Sequence, residues 1–483
     1  MDPGRFRKLA LALAAGVCLF QLLTLRRGQT WMDDYAQYVL HARNLAEGRP
    51  YADTGYILNP AYQTAGPVTY PPVFPLLLSP VWRLAGRDLQ AMKALTVFFF
   101  AAFLYVLCLL FRGPLGERGA LLGAALVGLN PVFWKFKDYL YAEYPFLFFS
   151  FAALYVWRLA GAAEAGGGRW LPRAVAAGAL AYLAYGTRSA GAVLFPAFFL
   201  ADLAGGKGFS KTTLVCCAAA LVPAAAQWLT LHGDGVYALQ VRGLLSHGTL
   251  AGAVLSNLLG YAESFTLLFD NGYLPVLPAL LLAAAASAAA AGLVRRAGRE
   301  PLFSAYVLLN SALLLLFPAS DGLRYAFPLV PFLYYYAREG WAEYGARLGR
   351  SARYAPAALL LGAALSYAGA YSRAQYGAFR EGAEKAETRE LFAFLRREVP
   401  PGGVVIFRKP RTLALYAGRA GAAYSPGSAG ENLEFFKRTG AGWLVLGGVF
   451  PGDELCLAPL LRREPGRFSE VFSNGDFRVY RIK

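Results

Sequence analysis

The stretch WMDDYAQYVLHARNLAEGRPY, residues 31–51, sets two adjacent aspartates, Asp33 and Asp34, a few residues beyond an apolar run that looks like a membrane span. One carboxylate would suffice to cap the helix that follows, and two adjacent ones repel, so the second needs a reason. The run before them, near 9–25, is the first of about eleven windows of roughly 16 to 24 mostly apolar residues, the length of helix that crosses about 30 Å of hydrocarbon. The others lie near 92–111, 119–134, 143–160, 172–187, 190–204, 212–231, 272–294, 301–317, 323–337 and 354–371. The pattern is that of a polytopic α-helical membrane protein.

Composition agrees. Of 483 residues, 57% are hydrophobic and 15% aromatic, and the mean hydropathy of +0.39 is too high for a water-soluble chain of this length. The net charge of +17 fits lysines and arginines held at the cytoplasmic face and near anionic headgroups, and does not call for nucleic acid as a partner. Cys18, Cys108, Cys216 and Cys217 lie within apolar runs, and with Cys456 they make neither a disulfide framework nor a zinc spacing.

Basic residues set the orientation. With Arg5, Arg7 and Lys8 in the cytoplasm, the loops on that side are RGPLGER, RLAGAAEAGGGRWLPR, GGKGFSK, RRAGRE and REGWAEYGARLGRSAR, all short and basic. An odd span count then places the tail outside the cytoplasm. The expected division is a membrane region, 1–371, whose first external loop, 26–91, carries the acidic pair, and a small extracytoplasmic α/β domain, 372–483. In that tail ETRELFAFLRREV has helical spacing, and GGVVIF, GWLVLGG and FRVYRI are short β-rich runs. The basic start and apolar core of the first span also fit a signal peptide, but no A-x-A site precedes Trp31.

On this topology Asp33, Asp34, Asp138, Glu143, Arg188, Asp321 and Arg324 all fall at the outer ends of spans, where ionisable groups must pair or line a wet cavity. Each also has a plainer reading. The aspartates could cap a helix lying on the membrane surface through Tyr35, Tyr38, Val39 and Leu45. Asp138 and Glu143 could pair with Lys135 or Lys137, Arg188 could snorkel to the interface, and Arg324 could pair with Asp321. His41 reads as a surface residue of the helix, and with His232 and His247 makes no metal cluster. GGKGFSKTT lacks the glycine before lysine that a phosphate loop requires. The segment 232–271 is amphipathic enough to flank a lipid entry or to be a packed helix pair.

An N-terminal span, an external acidic pair, a helix ending in GRPY, then YPPVFPLLLSP, YAEYPF, a TR pair and RYAFPLVP together resemble the polyprenyl-phosphate-sugar-dependent glycosyltransferases of the GT-C superfamily. The nearest pattern is that of the bacterial family 39 enzymes, which include protein O-mannosyltransferases and aminoarabinose transferases. The family's pair is commonly Asp-Glu, so the second position departs from it here. The resemblance implies a GT-C fold in a bacterial inner membrane, a polyprenyl-phosphate-sugar donor, and a lipid, glycan or protein acceptor.

The chemistry suits these residue types. Asp33 is the expected general base, with Asp34 beside it as the second catalytic carboxylate. Arg324 and Arg188, with Lys135 and Lys137 behind them, are the expected partners of the phosphate, since the guanidinium fork matches its oxygens. Asp138, Glu143 and Asp321 complete the expected substrate-binding set. One base and direct displacement imply inversion, and no metal or other cofactor is expected. The rival readings are a secondary transporter or flippase, which would place its site at the midplane between repeats, and a non-catalytic scaffold, which leaves the charge cluster unexplained.

Overall fold

A computed structural model of the chain describes residues 3–62, 66–206, 208–231, 250–317, 322–347 and 354–483. Asp321, His232, His247 and much of the 232–271 segment lie outside the described residues. The helices are α1 (Pro3–Leu23), α2 (Asp34–Glu47), α3 (Val73–Ala85), α4 (Leu89–Gly128), α5 (Pro131–Phe136), α6 (Glu143–Ala165), α7 (Leu171–Thr187), α8 (Leu194–Ala204), α9 (Lys211–Thr230) and α10 (Leu250–Thr266). They continue with α11 (Leu277–Arg296), α12 (Pro301–Leu316), α13 (Leu323–Ala326), α14 (Val330–Arg347), α15 (Ala355–Ser372), α16 (Ala386–Glu398), α17 (Pro410–Ala417), α18 (Ala429–Arg438) and α19 (Pro451–Arg463). Each expected apolar window is helical over most of its length, the chief departures being residues 272–276 and the interruption at Leu129 and Asn130. Among the described residues, five helices, α1, α4, α6, α9 and α11, are long and apolar enough to cross a membrane.

The longest of them is a hairpin. In a straight helix residues 104 and 128 would lie about 36 Å apart, yet a Cβ added to Gly128 would stand 2.8 Å from the Leu104 side chain. The reversal falls at Gly116, whose φ of 70° and ψ of 171° leave the helix, beside Pro114. Two of the expected windows, 92–111 and 119–134, are thus the two arms of α4, the second continued by α5. The alanine-rich run ALLLAAAASAAAAG (279–292) has a packing reason. Gly340 of α14 lies directly on the Ala288 carbonyl of α11, and Gly292 on the Tyr336 carbonyl, an approach only small residues permit.

The tail folds around six strands: β1 (Tyr56–Ile57), β2 (Val404–Ile406), β3 (Ala420–Ala422), β4 (Ala441–Gly447), β5 (Phe468–Ser473) and β6 (Phe477–Ile482). Their order is β1-β3-β2-β4-β6-β5, parallel from β1 to β4 and antiparallel beyond it. The edge strand β1 belongs to the first loop, pairing Tyr56 with Gly421 and Ile57 with Ala422. The expected boundary at 371/372 is therefore crossed by a shared sheet. Asn59 extends the seam by donating to the Ala423 carbonyl (3.0 Å), and Ser425 by donating to the Ala61 carbonyl (3.0 Å).

Trp31 anchors the other end of the loop. Its ring meets Phe450, Phe407 and Phe477 edge-on at centroid distances of 5.1, 6.1 and 6.0 Å. Between Trp31 and β1, α2 is covered by α3 on one side and α17 on the other, so Tyr35, Tyr38 and Val39 are buried rather than spread on a membrane surface. His41 is buried too. It stacks on Tyr51 at 4.1 Å, pairs through Nδ1 with the Tyr51 carbonyl (2.8 Å), and accepts at Nε2 from the Tyr70 N–H (3.3 Å). Burial holds its pKa down at about 4, so the ring is neutral at pH 7.

If Trp31 is the pin between loop and tail, Trp31→Ala lowers the unfolding free energy by about 2 kcal/mol, less than a fully buried tryptophan because its ring is partly exposed. Limited proteolysis should then release the tail from the variant and not from the wild type; equal resistance of the two would show that the sheet seam alone holds it.

Candidate active site

Lys409 precedes α17 and Pro410 opens it, so the helix begins without a capping side chain of its own. Its orphan donors are satisfied from the other end of the sequence. Asp33 accepts the Thr412 N–H (2.9 Å) and the Thr412 hydroxyl (2.7 Å) at Oδ1, and the Arg411 N–H (3.3 Å) at Oδ2. Asp33 also stands at the N-cap position of α2, but makes no side-chain cap there. Both carboxylate oxygens are engaged with the tail.

Asp34 points the other way. Its Oδ1 accepts from the Tyr70 hydroxyl (2.8 Å) and Arg411 Nη1 (3.0 Å), and its Oδ2 from Arg324 Nη2 (3.1 Å). Burial pushes this carboxyl's pKa up, but Arg324 and Arg411, helped by the Tyr70 hydrogen bond, outweigh it and hold the value at about 2. A quarter of the side chain remains exposed, so it is both charged and approachable.

Arg411 was not among the residues expected from sequence. It is almost wholly buried, donates from Nη2 to the Pro67 carbonyl (3.0 Å), and lies over the Tyr56 ring at 4.6 Å. Burial opposes its charge, while the Tyr70 and Tyr56 oxygens and the two aspartates hold its pKa above the ordinary arginine value. The guanidinium fills the space beside Gly66, where any Cβ would collide with it. The legible trace was the uncapped start KPRTLALYAG, a short helix with no Ser, Thr, Asp or Asn ahead of it.

From Asp34 the charges continue into the helical bundle. Arg324 Nε lies 3.8 Å from Glu143 Oε1, and Arg188 Nη1 pairs closely with the same oxygen. The chain of alternating charge runs Arg411, Asp34, Arg324, Glu143, Arg188. Arg324 and Arg188 each sit where a helix breaks. Pro328 has no N–H to donate to the carbonyl of residue 324, so α13 stops and Arg324 is left at the joint before α14. Arg188 leaves α7 with extended φ and ψ (−146°, 133°), and Gly191 is required just beyond it, since a Cβ there would lie 2.5 Å from the Tyr185 nitrogen.

Glu143, Arg188 and Arg324 open onto a cavity of about 340 Å³ whose other walls include Phe146, Leu147, Leu313, Leu314 and Phe317. Glu143 is 2% exposed, and its Oε2 has no hydrogen-bond partner among the described residues. The arginines are braced by aromatic faces, Arg324 over Tyr141 (4.6 Å) and Arg188 over Tyr325 (4.9 Å).

The remaining expected residues stand apart. Lys137 is fully buried and pairs with Asp138 Oδ2 (2.9 Å), whose Oδ1 accepts the Arg26 N–H (2.8 Å). Lys135 and Asp138 line a different cavity, which shares no residue with the first. The expected single cluster is thus two. Among the described residues no group of three His, Cys, Asp or Glu side chains is placed to hold a metal ion.

No family model and no curated protein matches the sequence. In three dimensions the chain is similar to the oligosaccharyltransferase of Archaeoglobus fulgidus in complex with Zn and sulfate, with a TM-score of 0.58 and 14% identity over 98% of this chain and 72% of that one. The same archaeal enzyme, AglB, with an inhibitory peptide and a dolichol-phosphate, gives 0.56 and 15% over 98% and 74%. ArnT from Cupriavidus metallidurans bound to undecaprenyl phosphate covers 100% of this chain and 98% of its own at 15% identity, with a TM-score of 0.44. The chain has the fold of the archaeal oligosaccharyltransferase, and at 14% identity the likeness concerns the fold alone.

The Asp34 to Arg411 contact has a measurable energy. In a double-variant cycle at pH 7, Arg411→Ala and Asp34→Ala should couple by about 1 kcal/mol in unfolding free energy, a value discounted for the exposed part of Asp34. Because the folded pKa lies below the usual carboxylate value of about 3.9, this stabilisation is present above that value and is lost as pH falls toward 2. Coupling below about 0.3 kcal/mol at pH 7 would show that the two are only neighbours.

Proposed function

We propose that the chain is an integral membrane glycosyltransferase that moves a sugar from a polyprenyl-phosphate donor to an acceptor hydroxyl or amine on the extracytoplasmic side of a bacterial inner membrane. The observation that carries this reading is the cavity in which two arginines flank one carboxylate beneath an apolar wall, joined by Arg324 to the accessible Asp34. A lipid phosphate suits such a cavity, with its anion against Arg188 and Arg324 and its prenyl chain along Phe146, Leu147 and Phe317. The dolichol-phosphate held by the archaeal neighbour supports a donor of this class.

In this reading the acceptor attacks the anomeric carbon, the bond from that carbon to the phosphate oxygen breaks, and the phosphate leaves with the electron pair onto the two guanidiniums. The acceptor proton goes to a carboxylate. We place that base at Asp34 rather than at Asp33, whose oxygens already accept three hydrogen bonds from the start of α17. A base held near pKa 2 is weak, and the donor itself supplies the remedy. When phosphate takes Arg324, Asp34 loses a compensating charge and its proton affinity rises. Single displacement gives inversion at the anomeric carbon.

Zinc is named with the archaeal neighbour, but a dication is poorly suited to this site, because Asp34 lies between two guanidiniums and no other described carboxylate, histidine or cysteine completes a ligand set. No step is assigned to a metal. The broken helix at Arg324 also resembles the discontinuous helices of secondary transporters; transport would move a lipid or solute without cleaving a glycosyl phosphate.

The test is release of free polyprenyl phosphate from a panel of synthetic polyprenyl-phosphate sugars by the purified chain with a membrane extract as acceptor source. Asp34→Asn should cut turnover at least about 100-fold with donor binding retained, whereas Asp33→Asn should act mainly through stability, by about 1 kcal/mol. Movement of intact donor across the bilayer without phosphate release would instead make the protein a transporter. A reporter fused after Lys483 should be extracytoplasmic; a cytoplasmic signal would invert the topology on which the reading stands.

A further inference from the structure

Beside the proposed donor cavity lies a second one, of about 380 Å³, lined by Arg26, Trp134, Lys135, Asp138, Tyr139, Asp270, Asn271 and Arg373, among others. The connection 137–142 separates the two, sending Tyr141 under Arg324 on one side and Asp138 and Tyr139 into this cavity on the other. Its elements are the end of α1, α5, the turn before α11 and the end of α15. These are helix ends and turns, reached from the acidic-pair loop through Arg26, whose N–H donates to Asp138.

The charges in this cavity are not balanced internally. Both carboxylates are occupied, Asp138 by Lys137 and the Arg26 N–H, and Asp270 by the Gly272 N–H (2.9 Å). Arg26 donates to the Gly377 and Ala378 carbonyls (2.9 and 3.3 Å) and stacks on Phe379. Lys135 and Arg373 differ. Both are exposed, and among the described residues neither side chain has a hydrogen bond or an ion pair, that of Arg373 lying over the Tyr273 ring at 5.3 Å. Lys137 neutralises Asp138, so Arg26, Lys135 and Arg373 face the single carboxylate of Asp270, and the net positive lining favours an anionic oxygen group from outside the chain.

What surrounds the cavity selects the source of that group. Leu23, three residues before Arg26, and Tyr273, Leu274 and Val276, which follow Gly272 of the lining, are all more than half exposed and form an apolar fringe. Trp134 and Tyr139 supply the aromatic faces typical of the headgroup region. We infer that this second cavity is a binding site for the phosphate headgroup of an anionic lipid of the outer leaflet, its charge held by Lys135 and Arg373 and its acyl chains lying against the apolar fringe. The site is separate from the donor cavity and does not depend on the glycosyltransferase reading.

Native mass spectrometry of the purified full chain tests this with phosphatidylglycerol, with phosphatidylcholine of the same acyl chains, and with inorganic phosphate. One phosphatidylglycerol should be retained in preference to phosphatidylcholine, and Lys135→Gln with Arg373→Gln should reduce that preference by about five-fold for each cation lost. Lys135→Arg with Arg373→Lys should restore it, and Arg188→Gln, in the other cavity, should leave it unchanged. Equal retention of the two lipids by the wild type, or an undiminished preference in the doubly neutralised chain, overturns the proposal. Displacement of phosphatidylglycerol by millimolar inorganic phosphate would overturn the lipid as occupant and leave a site for free phosphate.

Discussion

Five charges withdrawn from water in one line, Arg411, Asp34, Arg324, Glu143 and Arg188, constrain everything around them. A buried ion costs several kcal/mol unless partners stand at hydrogen-bonding distance, and removing one partner strands the next. The line therefore fixes the relative positions of α17, α2, α13, α6 and the end of α7, elements that the sequence scatters from residue 34 to residue 417. Helix packing alone would hold the bundle. It would not hold the tail's short helix against the first loop, and this is where the paired aspartates matter.

The adjacency of Asp33 and Asp34 follows from that geometry. At the start of a helix, neighbouring residues project in directions about 100° apart, so one carboxylate can turn to the N-terminus of α17 while the next turns to the arginines. The mutual repulsion that makes an acidic pair costly is offset on both sides, by backbone donors for Asp33 and by two guanidiniums for Asp34. A single carboxylate could satisfy one of these partners only. The tail is for this reason built into the site. It contributes Arg411, it is capped by Asp33, and its sheet takes β1 from the same loop.

What the sequence made legible was whatever depends on periodicity and side. The eleven apolar windows are helical over most of their length, the β-rich runs GGVVIF, GWLVLGG and FRVYRI became β2, β4 and β6, and Asp34, Glu143, Arg188 and Arg324 meet in space. What it hid depends on tertiary choice between equivalent partners. Asp138 and Glu143 stand close in sequence and looked alike, yet the connection between them turns one into each cavity. His41 looked exposed because its helix is polar overall, while packing from α3 and α17 buries it. Arg411 was invisible for a related reason. An arginine in a soluble-looking tail reads as a surface residue until the uncapped helix start behind it is asked where its cap comes from.

The same line of charge explains why, among the described residues, Arg188 and Arg324 do not stand as bare cations in the cavity they line with Glu143. Two arginines beside an apolar wall would be unstable alone, and Glu143 keeps them there by holding both through one oxygen, with its second oxygen unpartnered among the described residues. On the proposed function, a carboxylate in that place is a stand-in for the donor's phosphate, which offers more charge and more acceptor oxygens to the same forks. Displacing it would not eject Glu143 into the lipid. Its second oxygen, buried and without a hydrogen-bond partner among the described residues, is open to a hydroxyl donor that enters the cavity. On the proposed function, an anion taking Arg324 would free two carboxylates at once, Glu143 to accept from substrate hydroxyls and Asp34 to take a proton.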